Sequence, residues 1–236
     1  MKKMNLGLAA LLAASTANIL PAQAAVILGL YNTGVQNGGD EWGAGGGAKP
    51  GNGADLHWDN SGGLGGHAFT GSPIYSNWIA NDDTSQWLTP RPQGNADFDP
   101  DEDGLYSYTL DFDLTGFDLT TANFTGRFAA DNRVTSILLN GQEITGSGGT
   151  YDSWTDFASV SDAFVEGVNT LSFNVTNFAQ ASGNPTGLRV EFLTNSVSPG
   201  ANTPVPEPAT WAMMLVGFGV VGASMRRRPQ KRMQMS

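Results

Sequence analysis

The sequence predicts an all-β domain, a β-sandwich or jelly roll, placed between two terminal segments with other roles. Three observations support this fold class. Short runs with an apolar residue at every second position recur between residues 106 and 192, turn-forming residues separate them, and no amphipathic helix lies among them. A period of two places one side of each strand in a core and the other in solvent. Strands that recur at such short intervals are typical of sandwiches and jelly rolls.

The clearest predicted strand covers residues 106–114, where aromatic and aliphatic residues alternate with Ser, Thr and Asp. Further runs follow at residues 124–128, 134–139, 171–176 and 188–192. Asn140-Gly141 comes directly after one of them and predicts a two-residue hairpin, because both residues tolerate a positive φ. A buried first strand is expected at residues 25–30. The Gly-rich stretch 31–66 is expected to form loops, since glycine weakens both helix and strand.

The composition excludes several classes of protein. The 236 residues include no Cys, so disulfide scaffolds, thiolate metal sites and cysteine nucleophiles are excluded. Of the 22 acidic residues only Glu207 lies outside the stretch from residue 40 to residue 191. The basic residues between the terminal segments are only Lys49, Arg91, Arg127, Arg133 and Arg189. A surface this acidic repels a phosphate backbone, so no nucleic-acid partner is expected.

Residues 1–24 are predicted to be a secretory signal peptide. A positive start at Lys2 and Lys3, an apolar run at residues 6–14 and an A-x-A site ending at Ala24 follow one another in the expected order. The apolar run is too short to cross a bilayer. We therefore expect cleavage after Ala24.

The other end of the chain predicts a membrane anchor. Residues 209–225 contain no charged side chain and have about the minimum length of a transmembrane helix. Arg226, Arg227 and Arg228 follow, and a positive cluster of this kind stays on the cytoplasmic side. The predicted order after the signal is ectodomain, Pro-rich linker, transmembrane helix and basic cytoplasmic tail, at residues 25–197, 198–208, 209–225 and 226–236.

Pro206, Glu207 and Pro208, the apolar segment and the arginine run, in this order, resemble the PEP-CTERM sorting signal. The resemblance implies an exosortase as partner, a membrane-embedded transpeptidase-like enzyme that recognises the chain near these three residues and removes the helix. It also implies a protein exported to the cell surface or extracellular matrix of a Gram-negative bacterium that makes extracellular polysaccharide. The alternative is a plain C-terminal membrane anchor.

A second resemblance concerns the ectodomain. Residues 128–134, 139–144 and 164–171 are similar to parts of galactose-binding-like jelly rolls, which occur as carbohydrate-binding modules and as accessory domains of glycosidases. In those domains the Asn-Gly hairpin and the G-x-N-x-L turn, here with Gly167 and Asn169, serve backbone geometry. The resemblance thus implies a fold and names no ligand.

The strongest candidate metal site is an acidic loop. Asp99, Asp101 and Asp103 alternate and are followed by Gly104, which gives the pattern D-x-D-x-D-G. Carboxylates at this spacing can converge on Ca²⁺ while the glycine allows a sharp turn. Leu110 occupies the place of the bidentate Glu of an EF-hand, so that motif is incomplete. Two readings stay open: a loop Ca²⁺ site and a solvated acidic loop.

Every tryptophan except Trp211 lies in or beside a polar, Gly-rich segment. Trp78 and Trp87 are the candidates for stacking on a sugar ring, with closure of the sandwich ends as the alternative. His57 and His67 show neither triad nor metal-ligand spacing, so no enzyme is predicted. Three functions follow for the ectodomain: a non-catalytic module that binds extracellular polysaccharide, a structural or adhesive surface protein, and a secreted glycoside hydrolase.

Overall fold

The structure, a computed structural model, describes residues 24–35, 53–62, 66–71, 75–92, 98–200, 213–219 and 221. The chain divides into two compact units. One unit comprises residues 23–203 and contains all the described strands, and the other comprises residues 1–22 and 204–236.

In the unit that contains both chain ends, residues 213–219 and residue 221 are helical. They belong to the predicted transmembrane segment 209–225, whose remaining residues lie outside the described part. No helix within the described ranges is both long enough and apolar enough to cross a membrane. The predicted signal peptide, residues 1–24, lies outside the described residues except for Ala24, which is exposed.

All the strands that the structure describes in the β domain pair antiparallel. Their bounds are β1 Gly53–Ser61, β2 His67–Gly71, β3 Trp87–Thr89, β4 Gly104–Asp113, β5 Phe117–Asp131, β6 Arg133–Leu139, β7 Gln142–Glu143, β8 Thr155–Ala158, β9 Val168–Asn177 and β10 Gly187–Pro199. They form one sheet in the order β7-β6-β9-β4-β1-β2-β3-β10-β5-β8. A short 3₁₀ turn at Ser161–Ala163 precedes β9.

The sheet curls so that its two halves pack face to face over one hydrophobic core. Phe173 on β9 lies 5.8 Å from Phe128 on β5 and 5.2 Å from Phe157 on β8, measured between ring centroids. Trp58 on β1 lies 5.9 Å from the same Phe173 ring. Aromatic pairs in tilted and edge-on arrangements add to the stabilisation from burial of their area. The predicted all-β, sandwich-like fold is confirmed, in the form of a single curled sheet.

The strongest sequence signals of the domain are confirmed. In β4 the residues Tyr106, Tyr108 and Leu110 are buried and their neighbours are not, as alternation requires. Asn140 and Gly141 have φ values of 53° and 83° and join β6 to β7 in a two-residue hairpin. Positive φ at both positions matches the twist of the flanking strands.

Two local predictions were wrong. Part of the stretch 31–66, predicted to be loop, forms β1, because Trp58 is fully buried in the core despite the surrounding glycines. Residues 25–30, predicted to be a regular strand, contain only one bridge, in which Ala25 exchanges two backbone hydrogen bonds of 2.7 and 2.8 Å with Val197. The first full strand is therefore β1 and not residues 25–30, and the high glycine content around β1 had indicated a loop.

The segment of residues 25–35 nevertheless belongs to the domain. Ile27 and Leu30 are buried in the core. Thr33 donates its backbone N–H to the Val190 carbonyl, and its hydroxyl accepts the N–H of Val190. The chain that follows the predicted cleavage site is thus bound along β10 from its first residue.

Candidate functional site

The outer side of β10 carries a charged cluster, which we define as Arg127, Arg189, Glu191 and Asp82. Arg189 and Glu191 alternate along β10 with residues of the hydrophobic core, so they point away from it. Both are nevertheless buried. A buried ion is stable only when it is paired and hydrogen-bonded, so each of these groups requires close partners.

Glu191 lies between two basic groups. It faces Arg127 across the β5–β10 ladder, and Arg127 donates Nε–H and Nη2–H to Glu191 Oε2 at 2.8 and 2.6 Å. The other oxygen, Oε1, accepts the Ser85 hydroxyl at 2.7 Å and lies 3.4 Å from Nη2 of Arg189. Both oxygens of the carboxylate are therefore occupied by partners within the domain.

Arg189 is held by the loop before β3. Its Nη2 forms a 2.9 Å ion pair with Asp82, its Nε donates to the Ser85 hydroxyl at 2.6 Å, and its Nη1 donates to the Ala80 carbonyl. Burial lowers the pKa of Arg189, and the charges of Asp82 and Glu191 oppose that effect. Burial tends to raise the pKa of Asp82, but hydrogen bonds from the Thr84 and Ser85 amides and the Arg189 charge lower it overall. The ion pair and hydrogen bonds of Arg189 therefore attach the loop before β3 to the sheet.

The two tryptophans predicted to stack on a sugar are both buried. Trp78 and Trp87 pack with their ring centroids 4.3 Å apart, against Ala129 on the outer side of β5. Trp87 also donates its indole N–H to the Ile79 carbonyl at 2.7 Å. Neither ring offers an open face in this structure. The alternative was that these rings close the ends of the sandwich. They do pack against the domain, but on the outer side of the sheet.

Trp154, just before β8, lies beside Trp78 and Trp87, and the sequence pattern did not single it out as a candidate. It is partly exposed and packs against the Trp78–Trp87 pair. The guanidinium carbons of Arg127 and Arg189 lie 4.4 and 5.0 Å from its ring centroid. These arginines come from other strands, so no local pattern in the sequence could reveal the arrangement.

Asp131 is the last residue of β5 and lies beside Trp78. Its side chain is buried and accepts the Asn132 side-chain amide at 2.6 Å. Burial raises the pKa of Asp131 to about 7, although a hydrogen bond from Trp78 works in the opposite direction. A carboxyl group that carries its proton near neutral pH donates a hydrogen bond as well as accepting one.

The acidic loop closes the end of the β4–β9 pair. Asp99 adopts φ 50°, and its Oδ2 accepts hydrogen bonds of 2.8 Å from both Tyr106 and Asn177. Burial and this contact with Asp99 raise the pKa of the Tyr106 phenol. A side chain at Gly104 would collide with the Asp99 carboxylate. The glycine thus allows close approach, whereas the sequence predicted a sharp turn.

The three aspartates of this loop have separate surroundings. Asp103 accepts the Ala179 backbone N–H at 2.8 Å, and Asp101 is exposed. Among the described residues no group of three or more acidic, His or Cys side chains is arranged to hold a metal. The Ca²⁺ site at Asp99, Asp101 and Asp103 stays a prediction.

The two histidines lie apart from the charged cluster. His57 stacks on Tyr31 with 3.6 Å between ring centroids, and His67 Nδ1 lies 3.0 Å from Asp59 at the surface. The G-x-N-x-L turn has a structural role: Gly167 has φ 82°, and the buried Asn169 bonds to the backbone of residues 165 and 167.

The predicted sorting motif, Pro206, Glu207 and Pro208, and the stop signal Arg226, Arg227 and Arg228 lie outside the described residues. A comparison with protein families matches residues 204–228 to the PEP-CTERM protein-sorting motif. A search of curated proteins finds no match to the chain. The family match coincides with the motif, apolar segment and basic run read from the sequence. It indicates an exported surface protein that an exosortase targets.

Proposed function

We propose that the ectodomain, residues 25–197, is a non-catalytic carbohydrate-binding module that an exosortase substrate presents in an extracellular polysaccharide matrix. The observation that supports this proposal is the environment of Trp154. A partly exposed indole surrounded by hydrogen-bonding groups offers both an apolar surface and polar partners. A sugar ring needs both kinds of contact, because it has an apolar face and a hydroxylated edge.

The polar partners lie beside that ring. The side chains of Arg127 and Asp82 are 37% and 55% exposed, so both are accessible to a ligand. Each is fixed by a second contact, Arg127 by Glu191 and Asp82 by Arg189. Side chains held in place before binding lose less conformational entropy when a ligand arrives. The site is therefore preorganised for a polar ligand that lies against Trp154.

The pairing of Glu191 favours binding over hydrolysis. Glycosidases need two carboxyl groups that both face the glycosidic bond. Both oxygens of Glu191 are already bonded, Oε2 to Arg127 and Oε1 to the Ser85 hydroxyl, so neither is free to face a glycosidic bond. Its role in this proposal is to orient the arginines.

The test is binding of the purified mature protein to extracellular polysaccharide isolated from the cells that produce it. Trp154→Ala should weaken binding about tenfold, which corresponds to loss of one aromatic contact of about 1.4 kcal/mol. Phe178→Ala is the matched control, because Phe178 is an exposed ring that does not pack with Trp78, Trp87 and Trp154. Equal binding by Trp154→Ala and the unchanged protein would contradict the site, and no binding by the unchanged protein would favour a structural or adhesive role.

A further inference from the structure

We propose that the ectodomain cuts its own backbone once, at the peptide bond between Asp99 and Pro100, through an intramolecular reaction of the Asp99 carboxyl group. This inference is independent of the proposed carbohydrate binding and adds a covalent modification of the domain. Asp99-Pro100 is the only Asp-Pro pair in the sequence. An aspartyl carboxyl group reaches its own carbonyl carbon in a five-membered ring. The reacting groups therefore belong to one residue, and no second molecule has to be brought to them.

The backbone at Asp99 is strained. Its φ is 50°, in the left-handed region that is uncommon for residues other than glycine. A residue that precedes proline is restricted further, because the proline ring favours an extended conformation with φ of about −120°. Strain of this kind persists only where the surrounding structure enforces it. Breaking the bond to Pro100 removes the restriction that the ring imposes on Asp99.

The carbonyl group of Asp99 is held by two N–H donors from the loop between β9 and β10. The backbone N–H of Gln180 donates to it at 3.2 Å, and Nδ2 of Asn184 donates to it at 3.3 Å. Asn184 is buried and also donates to the Phe98 and Phe178 carbonyls at 2.6 and 3.1 Å, which fixes its side chain. Donors at a carbonyl oxygen stabilise the negative charge that develops there when the carbon is attacked. The two donors therefore favour attack on this carbonyl.

The Asp99 carboxyl group is oriented through one of its oxygens. Oδ2 accepts the Tyr106 hydroxyl and the Asn177 side-chain amide, each at 2.8 Å. Within the described part of the chain, Oδ1 accepts no hydrogen bond. In a protonated carboxyl group the oxygen that accepts two donors is the carbonyl oxygen, so the proton belongs on Oδ1. Oδ1 is therefore the oxygen that attacks.

The reaction has two steps. Oδ1 of the protonated Asp99 carboxyl group attacks the carbonyl carbon of the same residue, and a C–O bond forms. The C–N bond to Pro100 breaks, and the carboxyl proton moves to the Pro100 nitrogen, which leaves as a secondary amine. Water then adds to the cyclic anhydride at Asp99 and gives a residue with two carboxyl groups. The sum is hydrolysis of one peptide bond, with water as the only other reactant.

The cut chain should remain one folded domain. The fragment that ends at Asp99 contributes β1, which pairs with β4, and β3, which pairs with β10. Its residues Trp58 and Leu88 are fully buried in the core. Water can reach the bond, because Asp99 is partly exposed and Pro100 is exposed. Cleavage thus creates two new chain ends beside the β4–β9 pair and leaves the sheet intact.

The titratable and charged groups around Asp99 decide the conditions of the test. Tyr106 on β4 keeps its proton, because burial and the contact with Asp99 raise the pKa of its phenol. Arg91 acts on the same phenol, and residues 101–103 are acidic and exposed. Since the leaving nitrogen takes up a proton from the carboxyl group, a mildly acidic buffer favours the reaction.

The experiment is incubation of the purified mature protein at about pH 5, or at the lowest higher pH at which its tryptophan fluorescence stays native, followed by denaturing gel electrophoresis and intact-mass measurement. We expect one fragment that ends at Asp99 and one that begins at Pro100. They should form at least about tenfold faster than from the same protein unfolded in urea at the same pH, because only the folded chain holds the strained bond and its two donors. Pro100→Ala should slow the cut at least about tenfold, since it removes the proline that strains Asp99. Asp101→Asn, at the next exposed position, is the control and should be cut like the unchanged protein.

Three outcomes would overturn the inference. Cleavage that is no faster in the folded protein than in urea would mean that the fold does not promote it. An intact chain in both samples would mean that the bond is stable. Fragments of the same mass from Asp99→Ala would require another agent, such as a protease. Binding of the Pro100→Ala protein to polysaccharide tests the Trp154 site separately, so either proposal can fail alone.

Discussion

Arg127 and Glu191 face each other across β5 and β10, and Arg127 directs two N–H groups at a single carboxylate oxygen, at 2.8 and 2.6 Å. Hydrogen bonds between ionised partners are about twice as strong as neutral ones. The same carboxylate neutralises Arg189, which is fully buried. One acidic residue thus stabilises two arginines of different exposure.

Replacing Glu191 with Gln should destabilise the domain by about 1–3 kcal/mol, because Arg127 and Arg189 lose a charged acceptor while Arg189 keeps its ion pair with Asp82. Arg127→Gln is the comparison, and it should cost less because the Arg127 side chain is 37% exposed. Urea unfolding of the two variants measures both values. Equal losses below about 1 kcal/mol would mean that the carboxylate is not needed to neutralise the cluster.

Trp87→Ala should lower the free energy of unfolding by about 3–5 kcal/mol, as expected for a large buried ring. The loss would arise from the cavity left beside Trp78 and Ala129. Trp154→Ala should cost less, since that ring is partly exposed. Chemical unfolding measures the loss of stability in each variant. A larger loss in Trp154→Ala than in Trp87→Ala would contradict the packing described for these tryptophans.

Stability should depend on pH through Asp131. Its native pKa of about 7 exceeds the ordinary value of 3.8, so the native state keeps a proton that the unfolded chain loses between these values. This stabilising contribution is complete below about pH 4 and is lost as the pH rises through 7. It amounts to about 2–3 kcal/mol between pH 5 and pH 8.

Unfolding measured at both pH values tests this dependence, with Asp131→Asn as the variant that cannot titrate. The variant should be less sensitive to pH than the unchanged protein. Burial also raises the pKa of Asp55, which acts in the same direction and is present in both proteins. An unchanged pH dependence in Asp131→Asn would show that another group is responsible.

Substitutions of two aspartates in the acidic loop should differ in their effect on stability. Asp99→Ala should cost about 1–3 kcal/mol, because the buried polar groups of Tyr106 and Asn177 lose a hydrogen-bond acceptor. Asp101→Ala should leave stability in chelator unchanged, since Asp101 is exposed. Thermal unfolding in EDTA measures both.

Titration calorimetry with Ca²⁺ tests the metal prediction for the same loop. If Asp99, Asp101 and Asp103 bind Ca²⁺, the unchanged protein should release or absorb heat, and Asp101→Ala should show little. Absence of heat in both proteins would leave the loop with a structural role only.

The sequence predicted what depends on local pattern. Alternation along β4 and the Asn140-Gly141 hairpin each arise from neighbouring residues, and both are confirmed. Alternation also placed Arg189 and Glu191 on the polar side of β10. It could not show that a distant loop covers this side, so the burial of both residues was not predicted.

The tryptophans illustrate the same limit. A ring in a Gly-rich segment is compatible with exposure and with packing, and the choice depends on which strand the loop contacts. Ala129 on β5 leaves space for Trp78 and Trp87, and that space exists only after β5 pairs with β10. Trp154 acquires its arginine neighbours in the same way.

The central claim, that residues 204–228 are a sorting signal, is tested most directly by the mass of the mature protein after Glu207→Ala. In cells that contain an exosortase, the unchanged chain should lose its C-terminal segment near Pro206, Glu207 and Pro208. The Glu207→Ala chain should keep it and stay in the membrane fraction. Loss of the segment at the same position in both chains, or its retention in both, would contradict recognition of the motif.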